Sequence, residues 1–251
     1  MKVYVMNFKK RRRLLGLLSL FMVLTIGILT GGFGVSAYLG SSYYQSVLAS
    51  ENERNIVIID AGHGGEDPGA ISSSGIYEKD LNLTIAKTLG ADLEASGFSV
   101  IYTRTDDRLL YNSDENIKGL RKIYDLKNRC KIAAEYPEAI FVSIHMNSYG
   151  SAKYSGLQVY YSENNQKSES LASSVQSAVK GELQKDNERV IKSGEGIYVL
   201  KNTMNPSILV ECGFLTNPEE CEKLSQKEYQ KRLSLAIVCG IINYKEQSSR
   251  L

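Results

Sequence analysis

Downstream of residue 54, short and dense apolar runs alternate with longer stretches whose apolar residues return every three or four positions. Residues 55–60 (NIVIID) are β-branched and run into Ala61-Gly62-His63-Gly64-Gly65, the pattern of a buried strand ending in a turn. Residues 79–96 carry Leu81, Leu83, Ile85, Ala86, Leu89 and Leu93 at helical spacing, and Gly97 is placed to close the helix. Residues 98–103 (FSVIYT) predict a second strand. Residues 120–135 predict a helix with Ile123, Leu126, Ile132 and Ala133 inward. Residues 139–145 (AIFVSIH) and 156–161 (GLQVYY) predict two more strands, and 168–183 a helix. Residues 196–200 and 207–211 also read as strands, and 226–244 as a closing amphipathic helix. Strands alternating with helices imply a single α/β domain, with a central, mostly parallel twisted sheet of about six strands and helices on both faces.

The first 54 residues follow another pattern. Residues 14–50 contain no charged side chain, residues 14–29 are densely apolar, and Arg11-Arg12-Arg13 stands just before them. Basic residues stay on the cytoplasmic side, so residues 1–37 are expected to act as a signal peptide or membrane anchor and to deliver the rest across the membrane. Val35-Ser36-Ala37 fits a small-residue cleavage site, while residues 14–39 are long enough to span the hydrocarbon layer; cleavage and retention both stay open. Residues 38–54 then read as a linker and 55–246 as the folded domain. Charge divides at the same place. The whole chain is +2, yet the first 37 residues hold six basic groups and no acidic one, leaving 24 basic against 28 acidic, a balance of −4. A mildly acidic body argues against nucleic acid as a partner. Composition, 43% apolar with only four prolines, excludes a disordered chain. Cys130, Cys212, Cys221 and Cys239 form no CxxC pair and no Cys/His cluster; they are expected to be mostly free and buried, with Cys212 and Cys239 as small core residues.

In a parallel α/β sheet the site lies beyond the carboxyl ends of the strands, and that rule selects chemistry. The chain has two histidines. His63 follows the first strand and His145 closes the third; Glu211 ends the run 207–211. Glu78 opens the first helix after the polar, glycine-rich stretch 64–77, which could fold it over the same edge. Two imidazoles and one carboxylate, with a fourth position open, form a catalytic zinc arrangement. A second carboxylate is then needed to move a proton from water to a leaving amine. Glu211, among Ile208-Leu209-Val210 and Cys212-Gly213-Phe214, has apolar surroundings that raise its pKa. Asp60 is either a turn former or an acceptor for His63. No phosphate-binding glycine motif is present.

Four motifs, in order, resemble one family. Asp60-Ala61-Gly62-His63-Gly64-Gly65, then Glu78-Lys79-Asp80-Leu81-Asn82-Leu83, Ser143-Ile144-His145-Met146-Asn147-Ser148, and Val210-Glu211-Cys212-Gly213-Phe214-Leu215-Thr216-Asn217 look like the zinc-dependent N-acetylmuramoyl-L-alanine amidases of the amidase-3 type. Cys212 and Tyr198-Val199-Leu200-Lys201 look most like the spore-cortex, germination-specific (CwlD-type) branch. The resemblance implies that His63, Glu78 and His145 bind Zn2+ and that Glu211 is the general acid/base. It adds Asn147 and Arg129 to Asp60 as candidates to support the ligands or touch substrate. The implied substrate is peptidoglycan, cut between the lactyl group of N-acetylmuramic acid and L-alanine, in the spore branch as a step toward cortex muramic-δ-lactam. The implied location is extracytoplasmic, on the forespore or cortex side of a spore former. A partner protein that orders residues 64–77 would raise zinc affinity by linkage. The alternative from another class is a catalytically silent peptidoglycan-binding or assembly protein on the same fold.

Overall fold

The computed structural model describes residues 55–111 and 119–248. The expected export segment and linker, 1–54, lie outside the described residues. Among the described residues no helix is long and apolar enough to cross a membrane.

Among the described residues six strands form one sheet: β1 (Ile56–Ala61), β2 (Ser99–Tyr102), β3 (Ile140–Asn147), β4 (Gln158–Tyr161), β5 (Lys192–Ser193) and β6 (Ser207–Phe214). Their order is β2-β1-β3-β6-β4-β5, parallel except where β4 runs against β6. The helices are α1 (Glu78–Ala95), α2 (Arg121–Ala134), α3 (Lys167–Glu182), α4 (Tyr198–Asn202), α5 (Pro218–Ser225) and α6 (Lys227–Ser248). The expected α/β class, strand number and two-sided covering all hold.

Strand alternation divides the core into two layers. Val57, Ile59, Val142, Ile144, Ile208 and Val210 face one side, where α1, α3 and α6 pack with Ile85, Leu89, Val175 and Ile237. Ile58, Phe141 and Leu209 face the other, against α2 and α4, in a smaller cluster with Ala133, Val199 and Leu200. Fully burying one such side chain contributes about 1.5–3 kcal/mol. Helix α1 stops as its sequence predicts. Gly97 takes φ +88°, and the amides of Gly97 and Phe98 donate to the carbonyls of Glu94 and Leu93, closing the last turn.

Four local expectations need correction. Residues 196–200 do not form a strand. Tyr198–Asn202 is a short helix that sets Val199 and Leu200 on the smaller cluster, and the sheet edge there is taken by Lys192–Ser193. In α2, Ile123 is 44% exposed, and the buried positions are Asp125, Arg129 and Ala133; an ion-pair network occupies the inner face. Helix α5, absent from the sequence reading, starts at Asn217, whose side chain accepts the Glu220 amide, with Pro218 following. All four cysteines are free as expected, but Cys239 is exposed on α6 and Cys130 only half-buried.

Candidate metal centre

Strands β1, β3 and β6 are parallel neighbours, so their carboxyl ends bring His63, His145 and Glu211 to one edge, with His145 and Glu211 in direct register. Strands β3 and β6 run on past these residues, to Asn147 and Phe214, through an irregularity after His145. The polar positions Asp60, Ser143, His145 and Glu211 take the alternation of Ile58, Phe141 and Leu209, so the site opens on the thinner side of the sheet.

His63 sits in the left-handed region, φ +61°, uncommon for a non-glycine residue. Buried arginines hold this turn through its carbonyls. Arg104 donates from Nε to Ala61 O (2.8 Å) and from Nη2 to Gly62 O (2.9 Å). Arg129 donates from Nη1 to Ala61 O (2.7 Å) and from Nη2 to His63 O (2.7 Å). Gly62 must be glycine here, because a Cβ would stand 2.1 Å from His145 Nε2. The loop then folds back. Gly64 and Asp67 exchange backbone hydrogen bonds, and Asp67 Oδ2 meets His63 Nδ1 at 2.9 Å. A proton held on Nδ1 by Asp67 leaves the Nε2 lone pair of His63 free to ligate.

Glu78 is buried at the first position of α1. Its Oε1 lies 3.2 Å from His63 Nε2 and 2.9 Å from His145 Nδ1, and Oε2 accepts the Ala70 amide at 2.8 Å. Burial opposes its ionisation, but the two imidazoles outweigh burial and hold its carboxyl well below the usual range. Burial likewise opposes charge on His63, and hydrogen bonds and charge from Glu78 and Asp67 push its pKa up instead.

The donor atoms of His63, Glu78 and His145 all lie within 4.8 Å of one another. Two nitrogens and one carboxylate oxygen gathered at a point, on an edge open to solvent, match the ligand set and open position that zinc takes in catalytic sites. Glu211 adds a second observation. Its Oε2 is buried with no hydrogen-bond partner among the described residues. Burial, with the Glu78 charge, raises its pKa to about 7 against the opposing pull of the histidines. A carboxylate oxygen buried without a partner is costly, and here it stands beside the gathered donors.

The remaining expected residues fall as follows. Asp60 is not an acceptor for His63; it accepts from Thr103 Oγ1 (2.7 Å), Arg129 Nη1 (2.5 Å) and Ser143 Oγ (2.6 Å), because strand alternation aims it at α2. Burial would raise its pKa, but Arg129 and the two hydroxyls hold it low. Arg129 supports the His63 turn through backbone. Asn147 stands two residues past His145, where its carbonyl accepts the Leu215 amide at 2.8 Å. The acceptor for His63 that sequence reasoning missed is Asp67; its one signal is a carboxylate four residues on within a glycine-rich loop.

Residues 57–243 match the N-acetylmuramoyl-L-alanine amidase family, Amidase_3. The chain is 35% identical over 191 residues to the germination-specific N-acetylmuramoyl-L-alanine amidase of Bacillus subtilis, covering 75% of this chain and 79% of that protein. Among solved structures it is similar to the CwlD amidase of Clostridioides difficile in complex with the GerS lipoprotein, with TM-score 0.74, 40% identity, and coverage of 77% of this chain and 99% of that one. It is also similar to the amidase AmiC2 of Nostoc punctiforme, with TM-score 0.66, 33% identity, and coverage of 77% and 98%.

Proposed function

Because the chain belongs to the N-acetylmuramoyl-L-alanine amidase family, we propose that it hydrolyses the lactyl–L-alanine amide of peptidoglycan with zinc held by His63, Glu78 and His145. The observation that carries this reading is the partnerless Glu211 Oε2, with a pKa raised to about 7, beside three gathered donors. A bound zinc ion would polarise the scissile carbonyl and acidify water near it. The chain's own groups do the rest. Glu211 takes a proton from the attacking water as oxygen bonds to the lactyl carbonyl carbon. It then gives that proton to the L-alanine nitrogen as the C–N bond breaks, leaving a lactyl carboxylic acid, which releases its proton to solvent, and a free amine. A carboxyl that titrates near neutrality suits both steps. Glu78, held ionised, and Asp67, on His63 Nδ1, keep the donors in place.

Family membership supports work outside the cytoplasm, on peptidoglycan. We extend the reading to spore cortex, where removing the peptide prepares muramic acid for δ-lactam formation. Support comes from the germination-specific relative and the CwlD structure. Residues 1–37 would export or anchor the domain. A lipoprotein partner is proposed on the pattern of the C. difficile complex. The test compares wild type with Glu211→Gln on purified peptidoglycan. The variant should keep wild-type zinc content and lose cleavage by about a hundredfold or more. Wild-type release of stem peptides with free L-alanine amines by the variant would remove Glu211 from the mechanism. Muropeptide binding without turnover by zinc-loaded wild type would favour the silent binding protein.

A further inference from the structure

Away from the gathered donors a cleft of about 860 Å3 opens where the β4 start, the loop after α3 and α5 meet. Tyr154, Asn187, Arg189 and Glu220 are among the residues around it. The cleft lies at the same sheet edge as Glu211, because antiparallel β4 begins where parallel β6 ends. Its volume is in the range that accommodates a ligand chain.

Arg189 is held there on three sides. Its Nε donates to Ser155 O at 2.8 Å, its Nη1 to Gln158 Oε1 at 3.4 Å, and its Cζ lies 4.5 Å from the Phe214 ring centre. Gln158 is itself 1% exposed and donates to Val190 O. The guanidinium is therefore positioned, and the aromatic ring excludes water from one of its faces. Yet among the described residues Arg189 makes no ion pair. The nearby carboxylate Glu220 is engaged elsewhere, accepting the amides of Gly156 (2.8 Å) and Phe214 (2.7 Å). A fixed, half-buried guanidinium that meets Glu220 only through longer-range charge, with no carboxylate bonded to it, is a receptor for one. Its place relative to the chemistry follows from register. Gln158 pairs with Glu211, which puts their side chains on one face about 5 Å apart at Cβ. An anion on Arg189 thus sits one side chain beyond Glu211, within reach of the residue next to the scissile bond at about 3.5 Å per residue.

Resting on the amidase reading above, we propose that Arg189 binds the carboxylate of the stem-peptide residue that follows L-alanine, the α-carboxylate of D-glutamate in an unamidated stem. Arg189 is then a specificity-determining residue that separates carboxylate from amide stems.

The test uses the full-length chain supplied with zinc and two muramoyl tripeptides, identical except for a free or amidated α-carboxyl on the second residue. Wild type should cleave the carboxylate form with kcat/KM about tenfold to a hundredfold higher, chiefly through KM. Arg189→Met should bring the ratio near one, and Arg189→Lys should leave an intermediate value, because the forked geometry is lost. Melting temperature and zinc content accompany each variant. Should Arg189→Met fail to fold, competition of the two released tripeptides against wild type reads the same preference. Equal cleavage of both substrates by wild type, or a preference that survives Arg189→Met, overturns the inference. Cleavage of neither brings down the amidase reading first, and this inference with it.

Discussion

At the scale of single residues, the site depends on a carboxylate that is not one of the three gathered donors. Asp67 holds His63 Nδ1 at 2.9 Å, accepts the Gly69 amide at 3.2 Å, and is approached by Lys122 of α2 at 3.3 Å. Asp67→Ala should weaken zinc binding by about tenfold to a hundredfold, because His63 loses its tautomer and ring orientation. Chelator competition reads this without any activity assay, and an unchanged affinity would show that the loop backbone alone orients His63. The legibility of these residues differs for a physical reason. His145 and Glu211 stand out because polar groups at the ends of apolar strands need an explanation. Asp67 lies in a loop without periodicity, so nothing in its spacing says which way it points. From sequence Asp60 is equally available to His63; in the fold, strand alternation aims it at α2, where Arg129 and two hydroxyls take both its oxygens.

At the scale of elements, α2 is the piece whose sequence pattern misleads. Its apolar residues suggest Ile123 inward, whereas Asp125 and Arg129 are buried at 3% and 1% exposure. The helix turns this polar stripe inward because Arg129 joins Asp125 on its own helix (2.8 Å) to Asp60 on β1 (2.5 Å). Removing one member of a buried pair leaves the other uncompensated, so Asp60→Asn should cost about 3 kcal/mol, reduced by whatever Asp125 retains. The pH dependence has a definite sign. The folded pKa of Asp60 lies below its ordinary value of 3.8, so its contribution is complete above about pH 4 and disappears as pH falls through the lower, folded value. Melting curves from about pH 2.5 to 7 should therefore show wild type losing its advantage over Asp60→Asn only at the acid end. An advantage that grows on acidification would contradict the assignment. Residues 196–200 mislead for a simpler reason: a short apolar run carries no period long enough to separate strand from helix.

At the scale of the whole domain, the proposed metal donors come from separate parts of the chain: the turn after β1, the first residue of α1, and a position two residues before the end of β3. That scattering is why strand order decides more of the reading than any local pattern. Alternation of strands and helices is legible in the sequence, and with it the carboxyl edge. The neighbour relation β1-β3-β6, which makes three distant residues one site, is written in no local pattern, because pairing between parallel strands is settled only when the whole sheet assembles. The same scattering would make zinc, in the proposed site, a ligand of the folded state alone. No unfolded chain holds His63, Glu78 and His145 together, so free zinc at about a hundredfold excess over its Kd should stabilise the fold by about 2.7 kcal/mol. For a domain of this size that raises Tm by about 5–10 °C. His145→Ala should remove most of the rise while leaving the metal-free Tm within a few degrees of wild type, since its ring is partly exposed. Calorimetry across a zinc titration measures both. A zinc-dependent rise of equal size in wild type and His145→Ala would place the stabilising metal somewhere other than this edge.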